Sequence, residues 1–322
     1  MSILSYMHEL QDLDKPVTAS GLAQLSGLMD DEEREFRDNW ASLPAERRFE
    51  VVGKLNDLAD DNAELDFHAV FCHAMTDDKA AVRERAVHGL WETDDRRTIA
   101  KLLDRLENDP ADEVRAAAAQ VLGHFVTLAD EGKLVRRDVT RLWDSLKAAM
   151  EDEDEPILVR RRVLESIAGF RSPNVRDWVQ WGYDHPEALV RQSAVYAMGR
   201  SGDAVWLDII VGEMDSDDPG MRYEAANAAR ELAEDGALPY LAELVHDLDA
   251  QVSMAALHAI AGIGGAKARG MLKGYAAQGD AALREAAGEA LAALDADVSD
   301  FSMMKMAGEP DDDDEDDDDF DE

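Results

Sequence analysis

An all-α, right-handed solenoid of about eight antiparallel helical pairs is the fold class that this 322-residue sequence predicts. Three observations carry it. One short segment returns at a nearly fixed interval, the small and apolar residues inside each occurrence keep helical spacing, and turn signals fall between occurrences.

The recurring segments read "VRERAVHGLW", "VRAAAAQVLG", "VRRRVLESIA", "VRQSAVYAMG", "MRYEAANAAR", "VSMAALHAIA" and "LREAAGEALA". They begin at Val82, Val114, Val159, Val190, Met221, Val252 and Leu283, at intervals of 32, 45, 31, 31, 31 and 31 residues. A period held to the residue over four successive intervals marks a repeat array. A helical pair of this length cannot bury its apolar face alone, so each unit depends on its neighbours for a core.

Taken in order, residues 1–29 are expected to form an N-terminal helical extension or cap around "TASGLAQLSGL", with the repeats occupying 30–296. Within 30–60, "PAERRFEVVGKLNDLA" reads as the second helix of a divergent first unit. From Val82 onward each recurring segment is a second helix. Its first position and those four, seven and eight beyond line one face, as in Val190, Ala194, Ala197 and Met198, or Val252, Ala256, Ala259 and Ile260.

Upstream of each segment lies a first helix, marked by Leu102 and Leu106; Leu142, Leu146 and Met150; Trp178 and Trp181; Leu207, Val211 and Met214; Leu241 and Val245; Met271 and Tyr275. The turns are signalled by "NDP" at 108–110, "RSGD" at 200–203, "DDP" at 217–219 and "EDG" at 234–236. Pro239 is compatible with a helix because the first turn needs no N–H at that position. The 45-residue interval holds about 14 extra residues, which predict a longer connection and first helix in "TLADEGKLVRRDVTRLWDSLKAAM". Residues 297–322, closing on "EPDDDDEDDDDFDE", are expected to be an acidic disordered tail.

Net charge is −38, and the body as well as the tail is acidic. Such a chain disfavours nucleic acid and anionic membrane surfaces, whose phosphates need clustered Lys and Arg. The start lacks the basic and apolar regions of an export signal, and no apolar run reaches membrane-spanning length, so a cytoplasmic protein is expected. The single cysteine, Cys72, leaves no intrachain disulfide.

The units "ADEVRAAAAQVLG", "DDPGMRYEAANAAREL" with "GALPYLAELV", and "DAQVSMAALHAIAGIGGAKA" resemble HEAT repeats of the short bacterial, phycobilisome-lyase-type class. The resemblance extends over residues 64 to 294 and implies second helices that line a concave face. It also implies a structural ladder of arginines. Here Arg83, Arg115, Arg160, Arg191, Arg222 and Arg284 each follow an acidic residue of the preceding turn: Asp78, Asp109, Asp154, Asp184, Asp218 and Asp280. The sixth segment departs from the pattern, with Ser253 in place of Arg.

Recognition is expected at positions that vary between units. Two and six beyond the first residue of each segment, one exposed stripe carries Tyr196, Tyr223, Asn227, Met254 and His258 between more charged ends. Aromatic and thioether side chains of this kind mark protein interfaces. The expected function is a non-enzymatic scaffold that binds an unknown protein or peptide on the concave face, with no catalytic residue, metal or cofactor. An alternative is an enzyme or enzyme accessory of the HEAT-like kind, either bilin-lyase-like or metal-dependent. A third is an acidic protein that sequesters a basic partner.

Deoxyhypusine hydroxylases share this kind of array and hold iron through paired His-Glu motifs, whereas this chain has only His8-Glu9, outside the repeats. Glu64, His68 and Cys72 recur every four residues and are placed to share a helix face, but the segment "ELDFHAVFCHAM" reads more simply as a buried helix with a packed cysteine.

Overall fold

The structure, a computed structural model, describes residues 2–279 and 281–307, with side-chain surroundings through 295. Asp280 and the acidic run at the C-terminus lie outside the described residues. Among the described residues there are eighteen α-helices and no strand, and the chain divides into two compact units at Asp203 and Ala204. Eight helical pairs follow two short N-terminal helices.

The first unit opens with α1 (Ile3–Leu10) and α2 (Ala19–Leu22). Five pairs follow: α3 (Asp30–Trp40) with α4 (Ala45–Asp61), α5 (His68–Ala74) with α6 (Ala80–His88), α7 (Arg97–Asn108) with α8 (Asp112–Asp130), α9 (Arg136–Glu151) with α10 (Ile157–Ile167), and α11 (Pro173–Tyr183) with α12 (Ala188–Arg200). The second helices α4, α6, α8, α10 and α12 pack one on the next and form a continuous layer. In the second unit the pairs are α13 (Leu207–Glu213) with α14 (Pro219–Leu232), α15 (Leu238–Leu244) with α16 (Ala250–Ile263), and α17 (Gly265–Gln278) with α18 (Ala281–Ala307). There α14, α16 and α18 form the corresponding layer.

The predicted second-helix faces are the core. Val190, Ala194, Ala197 and Met198 are fully buried, as are Ala256, Ala259 and Ile260, with Val252 nearly so. Alanine is frequent on this face because successive second helices within a unit pack directly on one another, and a small side chain lets their backbones approach. At close approaches a side chain is excluded altogether. A Cβ on Gly123 would come within 2.8 Å of Ser166 Oγ, whose hydroxyl donates 2.7 Å to the Ala119 carbonyl, tying α10 to α8. Gly262 on α16 likewise makes room for the stem of Arg230 from α14.

Helix starts follow their sequence signals. Asp218 accepts a hydrogen bond from Gly220 N at 2.9 Å ahead of Pro219 in the first turn of α14, and Asp249 caps α16 by accepting from Gln251 N at 2.8 Å. Pro239 lies in the first turn of α15.

Two local expectations are revised. The 45-residue interval contains no long connection: α8 extends through 19 residues to Asp130, α9 takes 16, and only 131–135 join them. The added turns of α8 carry Phe125, Val126 and Leu128, all buried, so the extra residues continue a helix that still has core to fill. The first-helix faces are also shifted in three places. On α11 the buried residues are Val175, Val179 and Gly182, while Trp178 and Trp181 are half-buried beside them. On α13 Ile210 points inward rather than Leu207 and Val211, with Met214 buried just beyond the helix as expected, and on α17 Ala268 and Leu272 point inward rather than Met271 and Tyr275. These helices are covered on one side only, so their buried stripe is narrow and a large side chain at its edge mimics a core position.

Candidate functional site

The proposed binding residues all lie on second helices. Tyr196 belongs to the first unit, where α12 leaves it 36% exposed. The layer beside it is polar: Ser193 Oγ donates 2.5 Å to Glu165 Oε1, and Arg162 Nη1 donates 2.8 Å to Glu165 Oε2. The other four residues lie in the second unit. Tyr223 is 40% exposed on α14 with Asn227 half-buried one turn on, and Met254 is 36% exposed on α16 with His258 exposed one turn on. Because α14 packs on α16, the aromatic ring, amide, thioether and imidazole occupy matching positions of adjacent helices.

The arginine ladder has a different wiring from the one the sequence suggests. Arg83 donates from Nε and Nη2 to both oxygens of Asp109, at 2.8 and 2.7 Å, and from Nη1 to the Asp77 carbonyl at 2.9 Å. Its carboxylate partner therefore belongs to the turn of the following pair and not to Asp78. Arg115 reaches forward to Glu155 at 3.0 Å, and Arg222 forms a two-pronged contact with Asp247 at 2.7 and 2.9 Å. In each case the backbone carbonyl six residues back is a second acceptor: Asp77, Asp109 and Ser216. Arg191 donates to the backbone carbonyls of His185 and Pro186, and Arg160 pairs with the Met150 carbonyl while its guanidinium lies 4.3 Å from the centroid of Trp181. The exposed Arg284 follows Asp280, which is outside the described residues.

Ser253, the exception, donates 2.6 Å to the Val245 carbonyl and so ties the same turn without charge. Sequence reading missed the first rung. Arg48 donates to Asp77 Oδ2 at 2.8 Å and to Asp78 Oδ1 at 2.7 Å, and the Trp40 indole N–H donates to Asp77 at 2.7 Å. Its only sequence signal is an arginine in the segment "AERRFEVV", where Arg47 replaces the usual apolar residue.

A titratable cluster lies between α5 and α7. Helix α5 starts at His68, so Glu64 stands before it and does not share a face with His68 and Cys72. The His68 Nε2 atom is 3.5 Å from Cys72 Sγ, 2.8 Å from Thr98 Oγ1 and 3.8 Å from Asp95 Oδ2. Burial pushes the Cys72 thiol up, but the His68 hydrogen bond and the charges of His68 and Lys101 outweigh it and hold the thiol below its ordinary value. The same hydrogen bond raises His68, against burial and with help from the charges of Cys72, Asp95 and Asp66. A depressed thiol carries more thiolate at a given pH, and the thiolate is the nucleophile. Alkylation of Cys72 by iodoacetamide is accordingly expected to follow a pH midpoint below that of His68→Gln. Equal midpoints, read by mass spectrometry across a pH series, would show that the imidazole does not act on the sulfur.

The two units define a protein of stacked helical pairs with an irregular start. It belongs to the HEAT-repeat family: the HEAT repeats pattern matches residues 48–123, 144–214 and 207–292. Deoxyhypusine hydroxylase of Candida albicans is 24% identical over 199 residues, which make up 56% of this chain and 63% of that protein. The Eremothecium gossypii deoxyhypusine hydroxylase is 24% identical over 198 residues, 56% of this chain and 62% of the relative. The chain thus spans about three fifths of the length of these curated relatives. In fold it resembles the complex of CpcE and CpcF of phycocyanin lyase from Nostoc sp. PCC7120, with a TM-score of 0.53 at 17% identity, covering 88% of this chain and 97% of that one.

These similarities correct the expectation that the chain is not an enzyme, because the curated proteins it matches are enzymes. They support the HEAT repeat and not the narrower lyase-type subclass. Nowhere among the described residues do three His, Cys, Asp or Glu side chains converge as metal ligands. No helix among the described residues is long and apolar enough to cross a membrane.

Proposed function

We propose that the protein is an enzyme accessory of the HEAT-repeat kind, a stacked-helix platform that holds a protein partner of a catalytic assembly on its second-helix layer. The observation that carries this reading is the matched exposure of Tyr223 and Met254 on adjacent helices, flanked by Asn227 and His258. Tyr196 is assigned to the same role on the layer of the first unit. Enzyme relatives in sequence favour a place in catalysis, and the lack of a convergent ligand set among the described residues favours an accessory over a metal-dependent catalyst. Fold alone cannot make this choice, since one solenoid serves many roles.

The test is affinity capture from the native lysate with the intact chain and with a Tyr196→Ala, Tyr223→Ala variant. Both replaced residues are exposed, so helicity and melting are expected to stay unchanged while an enzyme subunit held by the intact chain is lost. Retention of that subunit by the variant would place the contact elsewhere, and a capture set without any enzyme would defeat the accessory reading.

A further inference from the structure

The second-helix layer of the second unit changes character across three helices. At the same two positions, α14 carries Tyr223 and Asn227, α16 carries Met254 and His258, and α18 carries Glu285 and Glu289, both exposed. Since α14 packs on α16 and α16 on α18, these pairs form three parallel rows: aromatic and amide, thioether and imidazole, then two carboxylates. No lysine or arginine occupies these positions on the three helices. Residues 204–296 as a whole contain 16 acidic and 6 basic residues, so the surrounding field reinforces the carboxylate row and opposes an acidic visitor.

We infer that this face docks a basic amphipathic segment of a partner protein, with an apolar side chain over Tyr223 and Met254 and Lys or Arg against Glu285 and Glu289. Packed helices lie about 8–10 Å apart, and an extended chain rises about 3.3 Å per residue, so the cations belong roughly three positions beyond the apolar anchor. The apolar contact supplies affinity, while the charges fix direction and exclude acidic sequences. A second copy of this chain and its own C-terminal run are disfavoured by charge, because both are strongly acidic. The inference rests on the accessory reading above and adds the chemistry of the partner segment.

The experiment measures fluorescence anisotropy of three labelled peptides with the full chain: a ten-residue peptide with two leucines spaced three positions from paired lysines, its Lys-to-Glu counterpart, and a peptide of the sequence 309–322. Binding is expected for the lysine peptide alone. A Glu285→Lys, Glu289→Lys variant should weaken it roughly tenfold, and Tyr223→Ser with Met254→Ser should do the same. Reversing Glu33 and Asp38 on α3 serves as the control for general attraction to an acidic protein and should leave binding nearly unchanged. Equal loss in the control, no loss with Tyr223→Ser and Met254→Ser, or preference for either acidic peptide overturns the inference. An enzyme subunit captured through Tyr196 and Tyr223 alongside failure of the lysine peptide would leave the accessory reading standing and remove only the basic segment.

Discussion

Met198→Asp is expected to unfold the first unit. Met198 is fully buried on α12, the helix that packs against both α10 and α11. A carboxylate buried there must be taken out of water, at a cost of about 5 kcal/mol or more, comparable with the whole stability of a small domain. Two comparisons separate charge from packing. Met198→Ala, which loses only volume, should cost about 2–5 kcal/mol. Leu189→Asp puts the same charge on the same helix at a residue 57% exposed and should shift stability by less than about 0.5 kcal/mol. Urea titrations followed by far-ultraviolet circular dichroism give all three values. Equal tolerance of aspartate at 189 and 198 would mean that α12 is rotated from the phase described above.

The second-helix core was legible in the sequence because it is overdetermined. From Val82 onward each of these helices packs on its own first helix and on a second helix of a neighbouring pair, so four positions per segment must be small or apolar, and Val190 through Met198 shows the full set. First helices carry less information. They bury one narrow stripe, and on α11 the half-buried Trp178 and Trp181 are more conspicuous than the Val175 and Val179 that fill the core. The repeat also concealed its own wiring: an acidic residue stands near every arginine in sequence, yet the partner of Arg83 is 26 residues ahead. A regular period makes the near and far carboxylates equally regular, so only geometry distinguishes them.

The candidate sites were legible to different degrees for similar reasons. Tyr223, Asn227, Met254 and His258 stood out because one helical position fixes which side chains share a stripe, and α14 and α16 place them on adjacent helices. The contact of His68 with Cys72 was visible as a four-residue spacing, but Thr98 and Asp95 reach it from the next pair and left no local pattern. The relation to enzymes, 24% identity over 199 residues of a deoxyhypusine hydroxylase, was within reach of the resemblance and was set aside because the His-Glu pairing of those iron sites occurs here only at His8-Glu9.

The wiring of the ladder has a measurable consequence at Asp109. Its side chain is fully buried and that of Arg83 is 8% exposed, joined by two short hydrogen bonds. Asp109→Ala leaves the guanidinium buried without its counter-charge, and removal of one partner of such a pair costs about 3–5 kcal/mol. Replacing both, as Arg83→Met with Asp109→Leu, should restore most of that loss, because neither charge then has to be desolvated. Burial pushes the Asp109 carboxyl up, yet Arg83, the Ala111 N–H and Arg105 together hold it below the ordinary carboxylate range. A carboxyl depressed in the folded state binds its proton more readily when unfolded. Its stabilising contribution is therefore complete above the unfolded value near 4 and is lost as pH falls through the lower folded value. Urea midpoints measured from pH 7 down to pH 3 should thus converge for the wild type and Asp109→Ala. They should stay apart if Asp109 is protonated throughout or if Arg83 draws its support from the Asp77 carbonyl alone.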